Sequence, residues 1–110
     1  MKSSQLLKGV LEGCVLLIIS QGEIYGYELM QRLHQYGFTT VVGGTLYPLL
    51  AKLEKQDDIT GMMKASPDGP DRKYFHLTVS GIAACDEFKT QWATLLAQVA
   101  TVEEDTHDNT

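Results

Sequence analysis

Near the C-terminus, Cys85, Phe88, Trp92, Leu95, Val99 and Val102 follow one another at intervals of 3, 4, 3, 4 and 3 residues. This is a two-position heptad seam sustained over almost three heptads. A helix from about Gly81 to Val102 spans about 33 Å at 1.5 Å per residue. A chain of 110 residues has material for one modest core. It cannot easily bury so long a helix against itself, so the seam predicts a projecting helix that meets a partner chain.

Upstream, the pattern predicts three shorter helices and a hairpin. Leu6, Leu7, Val10, Leu11, Cys14, Leu17 and Ile18 recur at helical spacing, which predicts a helix from about Ser4 to Ser20 with Ser3 or Ser4 as its cap. A second helix is expected from about Gly26 to Tyr36, carrying Leu29, Met30 and Leu33 on one side and closed by Gly37. The third comes from "GGTLYPLLAKLE" and runs to about Gln56. Leu46, Leu50 and Leu53 face its core side, with Thr45, Pro48, Lys52 and Lys55 opposite. Pro48 suits the first turn if that helix starts at Gly44 or Thr45, and kinks it if the start is earlier.

The period then changes. Ile59 to Ala65 and Arg72 to Leu77 read as two strands joined by the turn-rich Ser66-Pro67-Asp68-Gly69-Pro70-Asp71, a hairpin with a longer loop. Thr78 or Ser80 is expected to cap the last helix. The fold class is therefore mainly α (α+β), a winged helix-turn-helix with a C-terminal dimerisation helix. Its parts are a DNA-binding unit over 1–79, the dimerisation helix over 80–102 and an acidic flexible tail over 103–110.

Charge is distributed unevenly. The net charge is −5, yet residues 1–78 carry eight basic and eight acidic side chains, so the whole deficit lies from Val79 onward. Local patches rather than the total decide nucleic-acid binding. The longest uncharged apolar run, Gly13 to Ile19, is too short to span a membrane. Glu12 interrupts any signal-like segment after Lys2 and Lys8, and no small-residue cleavage site follows. Cys14 and Cys85 are too few for a disulfide framework and sit at apolar helical positions, so buried reduced thiols in a cytoplasmic protein are expected. His34, His76 and His107 share no metal spacing, and no Gly-rich phosphate loop or nucleophile–base set can be located. No enzyme, metal or cofactor is expected.

A helix-turn-helix places the second helix of the pair in the major groove and reads it mainly from its N-terminal residues. Gly43 and Gly44 remove side chains that would hold the backbone away from phosphate, and Thr45 can cap the helix or donate to phosphate. Lys52 and Lys55 continue along that face. Lys64, Arg72 and Lys73 flank the hairpin loop, where cations suit a DNA backbone or minor groove, while Asp68 and Asp71 oppose it.

These segments together resemble the PadR-like transcriptional regulators. The likeness rests on Tyr25-Gly26-Tyr27-Glu28-Leu29, on Gly44-Thr45-Leu46-Tyr47-Pro48-Leu49-Leu50 with Leu53-Glu54, and on Gly69-Pro70-Asp71-Arg72-Lys73-Tyr74-Phe75 with Leu77-Thr78-Val79-Ser80-Gly81. It covers nearly the whole chain and is closest to the smaller subclass with a single C-terminal helix. The resemblance implies a homodimeric repressor that binds double-stranded DNA at an inverted repeat and is released by a small molecule. It implies DNA contacts at Thr45, Tyr47, Lys52, Arg72, Lys73 and Tyr27. It also implies a ligand and dimer seam at Trp92, Phe88, Leu95 and Val99, where paired indoles sandwich a planar aromatic effector. Three positions depart from the family pattern. Asp58 stands where a glycine is common, Val42 where a serine often caps, and Asp71 where the residue is usually basic or neutral.

Plainer readings stand beside these. Lys52 and Lys55 also suit a solvated helix face. Tyr47 also suits packing against the wing, and Tyr25 and Tyr27 suit half-buried packing. Trp92 also suits a dimer core. Two functional alternatives follow, a winged-helix protein-interaction module without DNA binding and a sensor of hydrophobic ligands at the seam.

Overall fold

The computed structural model describes residues 2–108, and its order is α1 (Ser3–Ile19), β1 (Ile24–Tyr25), α2 (Gly26–Gln35), α3 (Gly43–Lys55), β2 (Ile59–Ser66), β3 (Gly69–Leu77) and α4 (Val79–Asp108). α1 supplies Leu11, Val15, Leu16, Ile18 and Ile19 to the core, and α2 and α3 close over it with Leu29, Leu33, Leu46, Leu50 and Leu53. The cap of α1 is Lys2, in extended backbone and without a side-chain cap bond, so Ser3 and Ser4 lie inside the first turn rather than before it.

The α2–α3 joint is set by backbone hydrogen bonds. Gly37 has φ +106°, Phe38 N–H donates to Leu33 carbonyl at 2.9 Å, and Gly37 N–H donates to His34 carbonyl at 3.0 Å. That is a complete Schellman closure, with the expected glycine in the left-handed position. His34 Nε2 donates to the Val41 carbonyl at 2.6 Å and ties the turn back onto α2.

α3 ends in the same way, with a different residue in the left-handed place. Asp58 N–H reaches Leu53 carbonyl at 3.0 Å and Asp57 N–H reaches Glu54 carbonyl at 3.1 Å, with Asp57 at φ +62°. The strained position is thus Asp57, one residue before Asp58, where the family's glycine was expected. Asp58 is instead a docking point, its carbonyl accepting from Thr78 N–H at 3.1 Å and its carboxylate from the Ser80 hydroxyl at 2.9 Å.

α3 starts at Gly43, earlier than expected, so Pro48 is its sixth residue and lies inside the helix. The helix nevertheless continues to Lys55. Proline removes the N–H that would serve the Gly44 carbonyl. Gly44 and Pro48 are both exposed, so the proline stands on the open side of the helix rather than in the core.

The sheet has the order β1-β3-β2 and is antiparallel throughout. Ile24 and Gly61 flank Phe75, and Ile24, Phe75 and Ile59 are buried. The two-residue β1 was not foreseen, being too short for a period-2 pattern. The expected long hairpin loop is corrected as well. Ser66 pairs with Gly69, which leaves only Pro67-Asp68 as the turn. β1 ends opposite Tyr74, so beyond it β3 has a free edge that tolerates Pro70.

α4 is longer at both ends than expected. It begins at Val79 and runs to Asp108, so residues 103–108 are helical rather than a tail beyond the helix. Gly81 N–H donates to Thr78 Oγ1 at 3.0 Å, which makes Thr78 the cap and not Ser80. The helix joins the body through buried Cys85 and through Phe88, whose ring lies against Gly13 of α1 where any side chain would collide with it. Cys14 is half-buried rather than buried, and burial raises its thiol pKa.

Replacing Asp57 by glycine relieves a left-handed backbone at a helix C-terminus. Asp57→Gly is expected to stabilise the fold by about 0.5–1 kcal/mol, a few degrees in melting temperature, while Asp57→Ala lowers it. Circular-dichroism melts of the three proteins check this.

Candidate nucleic-acid interface

Burial of Leu46, Leu50 and Leu53 leaves an exposed arc on α3. At about 100° per residue, Tyr47 stands at one edge of that arc and Thr45 with Lys52 at the other. Between them lie Ala51, Gly44, Lys55 and Pro48, all exposed and mostly short. A helix with a low, small-residue crest flanked by polar edges can approach another surface closely.

The entrance of α3 is built around one ring. A Cβ at Gly26 would stand 2.7 Å from Tyr47 Cε1, and a Cβ at Gly43 would stand 3.1 Å from Tyr47 Cε2. Gly43 therefore makes room for Tyr47, whereas Gly44 faces open space. Thr45 is not the cap. Its own N–H and that of Leu46 donate to the carbonyl of Val42, which caps α3 without a side-chain bond. Among the described residues, the amides of Gly43 and Gly44 have no backbone acceptor. They leave two N–H donors at a helix start, the geometry that attracts anions.

The structure divides the six expected DNA-contact residues. Tyr27, Tyr47, Arg72 and Lys73 border one open groove of about 410 Å³ between the start of α2, α3 and β3. Thr45 and Lys52 face a second groove of about 1000 Å³ between α1 and α3, with Lys8, Leu11 and Glu12 opposite. Tyr27 is 58 % exposed, against the expectation of half-buried packing, while Tyr25 is half-buried. Tyr47 is 48 % exposed and shares its groove with both wing cations.

Arg72 and Lys73 leave β3 on opposite faces. Arg72 lies opposite Lys64 and its guanidinium stacks 4.5 Å from the Tyr25 ring centroid. Tyr25 in turn meets Tyr74 edge-on at 5.4 Å, and Lys64 Nζ sits 5.3 Å from the Tyr74 centroid. Lys73 faces α3 and donates to Glu54 Oε1 at 2.8 Å. Two further lysines are paired, Lys64 with Glu23 at 2.6 Å and Lys52 with Glu12 at 3.5 Å. The Lys64 hydrogen bond is the main reason the Glu23 carboxyl lies below its ordinary pKa, with His76 Nε2 at 3.1 Å adding to it. Neither Arg72 nor Lys55 has a carboxylate partner among the described residues.

Sequence reasoning missed the carboxylates Glu12, Glu23 and Glu54, whose partners come from distant elements. It also missed Gly61, although a glycine inside a strand signals a close approach. On α4 the seam residues Trp92, Leu95 and Val99 are 40–51 % exposed, whereas Cys85 and Phe88 pack against the body. No helix among the described residues is long and apolar enough to cross a membrane.

Residues 15–87 match the transcriptional regulator PadR-like family. The chain is similar to a solved transcriptional regulator of Streptococcus, at 56% identity with a TM-score of 0.83, covering 90% of this chain and 97% of that one. It is also similar to the solved PadR-like transcriptional regulator from Bacillus cereus strain ATCC 14579, at 50% identity and a TM-score of 0.82, covering 90% and 96%. An uncharacterised protein of Lysinibacillus sphaericus is 30% identical over 95 residues, 84% of this chain and 87% of its own length.

The two glycine environments separate experimentally. Gly26→Ala is expected to push the Tyr47 ring aside and destabilise by about 1 kcal/mol. Gly44→Ala adds a methyl in open space at a helical position and is expected to be neutral or stabilising by up to about 1 kcal/mol. Thermal melts together with the Tyr47 ring resonances check both.

Proposed function

The chain belongs to the transcriptional regulator PadR-like family, and on that premise we propose that it is a ligand-responsive repressor that binds an inverted-repeat operator as a homodimer. The observation that carries this reading is the groove where Tyr27, Tyr47, Arg72 and Lys73 converge between the start of α2 and the middle of α3. It offers two aromatic hydroxyls and two cations, a donor set suited to phosphates and base edges, and the open amides of Gly43 and Gly44 lie at the start of the same α3. The protein acts by binding rather than by catalysis, and it works in the cytoplasm, where bacterial DNA lies. Thr45 and Lys52 extend the contact along the other edge of α3. Arg72, stacked on Tyr25, holds the wing cation over the backbone.

The exposed seam supports the dimer. Leu95, Leu96, Val99 and Val102 are all between 47 and 64 % exposed on α4 beyond its contact with α1. A second copy of α4 would cover them and bring two Trp92 indoles together, a stacking surface for a planar aromatic effector. Effector bound there changes the angle between the two halves and so the distance between recognition helices. Half-sites one helical turn apart require about 34 Å between them. A reading as a sensor without DNA binding rests on the same indole, and quenching of Trp92 with no effect on DNA would distinguish it.

Fluorescence anisotropy on the duplex upstream of its own coding region, at two salt concentrations and against an unrelated duplex, tests the reading. Tight binding that prefers the upstream duplex and weakens as salt rises is expected. Lys73→Ala is expected to weaken binding and flatten its salt dependence, whereas Thr45 and Tyr47 variants change the preference among sequences. No binding at low salt would overturn it.

Dimerisation has its own check in sedimentation velocity. Wild type is expected to run as a dimer, and Leu95→Asp with Val99→Asp as a monomer.

A further inference from the structure

Three lysines at or beside the groove faces are each held by a carboxylate from a different part of the chain. Glu12 of α1 holds Lys52, Glu23 before β1 holds Lys64, and Glu54 of α3 holds Lys73. The Lys73 pair is held along its whole length. Its aliphatic stem lies across Gly61 of β2, where any side chain would collide with it, and its Nζ is 5.6 Å from the Phe75 ring centroid. From there it reaches Glu54 Oε1 at 2.8 Å.

Stability does not account for this arrangement. The two side chains are 43 and 35 % exposed, and exposed ion pairs contribute about 0–1 kcal/mol. The consequence is electrostatic. Glu54 lines the groove together with Tyr47, Arg72 and Lys73. A phosphate arriving there meets a neutral pair, and its own charge is opposed by the carboxylate.

Resting on the reading of this face as a DNA face, we propose that Glu54 is a specificity-determining residue, an intramolecular stand-in for phosphate that occupies Lys73. Lys73 passes to the DNA backbone only where the remaining contacts hold a phosphate close enough to displace Glu54. A loosely docked, arbitrary duplex does not meet that condition, so its binding is held down. An operator whose bases engage the α3 edge does meet it. The cost falls on sequence-independent affinity, which is what a regulator searching a genome must limit.

The test is Glu54→Gln, isosteric and uncharged, titrated on the upstream and unrelated duplexes over a range of salt concentrations. Wild type, Lys73→Ala, the double variant and Glu103→Gln, a distant charge control on α4, are measured alongside. Glu54→Gln is expected to tighten binding to the unrelated duplex about three- to ten-fold and to steepen the salt slope by about 0.9, one added phosphate contact. The upstream duplex gains less, so discrimination falls. In the Lys73→Ala background Glu54→Gln gains less than in wild type, because only the carboxylate's own repulsion is left to relieve, and Glu103→Gln behaves as wild type. The proposal is overturned if wild type binds DNA and Glu54→Gln binds the unrelated duplex no more tightly. It is equally overturned if the gain is undiminished in the Lys73→Ala background or appears in Glu103→Gln. Failure of wild type to bind either duplex removes the DNA reading itself, and this proposal with it.

Discussion

Leu46, Leu50 and Leu53 bury one edge of α3 almost completely, at 0–2 % exposure, and the rest of the molecule is arranged around that contact. Burying a leucine side chain is worth about 1.5–3 kcal/mol, so three of them rival a large part of a small domain's net stability. The ion pairs of the same region are exposed and contribute far less. Apolar burial therefore decides where α3 lies and which arc it shows. The charged groups then tune what that arc attracts. Leu29 and Leu33 from α2 and Phe75 from β3 complete the same core, so α3, α2 and the wing are referred to one apolar centre.

The electrostatic layer follows from this division. The chain carries net negative charge, and the paired lysines show that even its basic residues are partly neutralised from within. Arg72 is the exception among the expected contact cations. It is held by an aromatic face instead of a carboxylate, which positions it without cancelling its charge. Acidity concentrated after Val79 lies on α4, which leaves the body by way of Cys85 and Phe88 and carries its remaining apolar residues into solvent.

Much of the architecture was legible from short patterns. The helical leucine spacing identified the buried edge of α3, Gly37 identified the end of α2, and the heptad seam identified a helix too long for its own domain. Errors fell where the deciding contact was remote or the local signal ambiguous. Ser66 to Asp71 reads as loop by composition, yet pairing with the facing strand pulls all but two of its residues into the hairpin. β1 exists only because Ile24 and Tyr25 meet Phe75 and Tyr74, far along the chain. Residues 103–108 look like a polar tail, and the helix runs through them. At the candidate site the candidate residues could be named from the sequence, but not their grouping.

By itself the sequence determined the order of elements, the apolar faces and the residue types at the interface, because these depend on periodicity and on contacts a few positions apart. Tertiary structure alone decided that four of the six expected contact residues share one groove and two another. It alone set Tyr47 between Gly26 and Gly43, and it alone gave each of three lysines its carboxylate. Those are encounters between distant segments. Their geometry is set by how the core closes, and no local pattern encodes it.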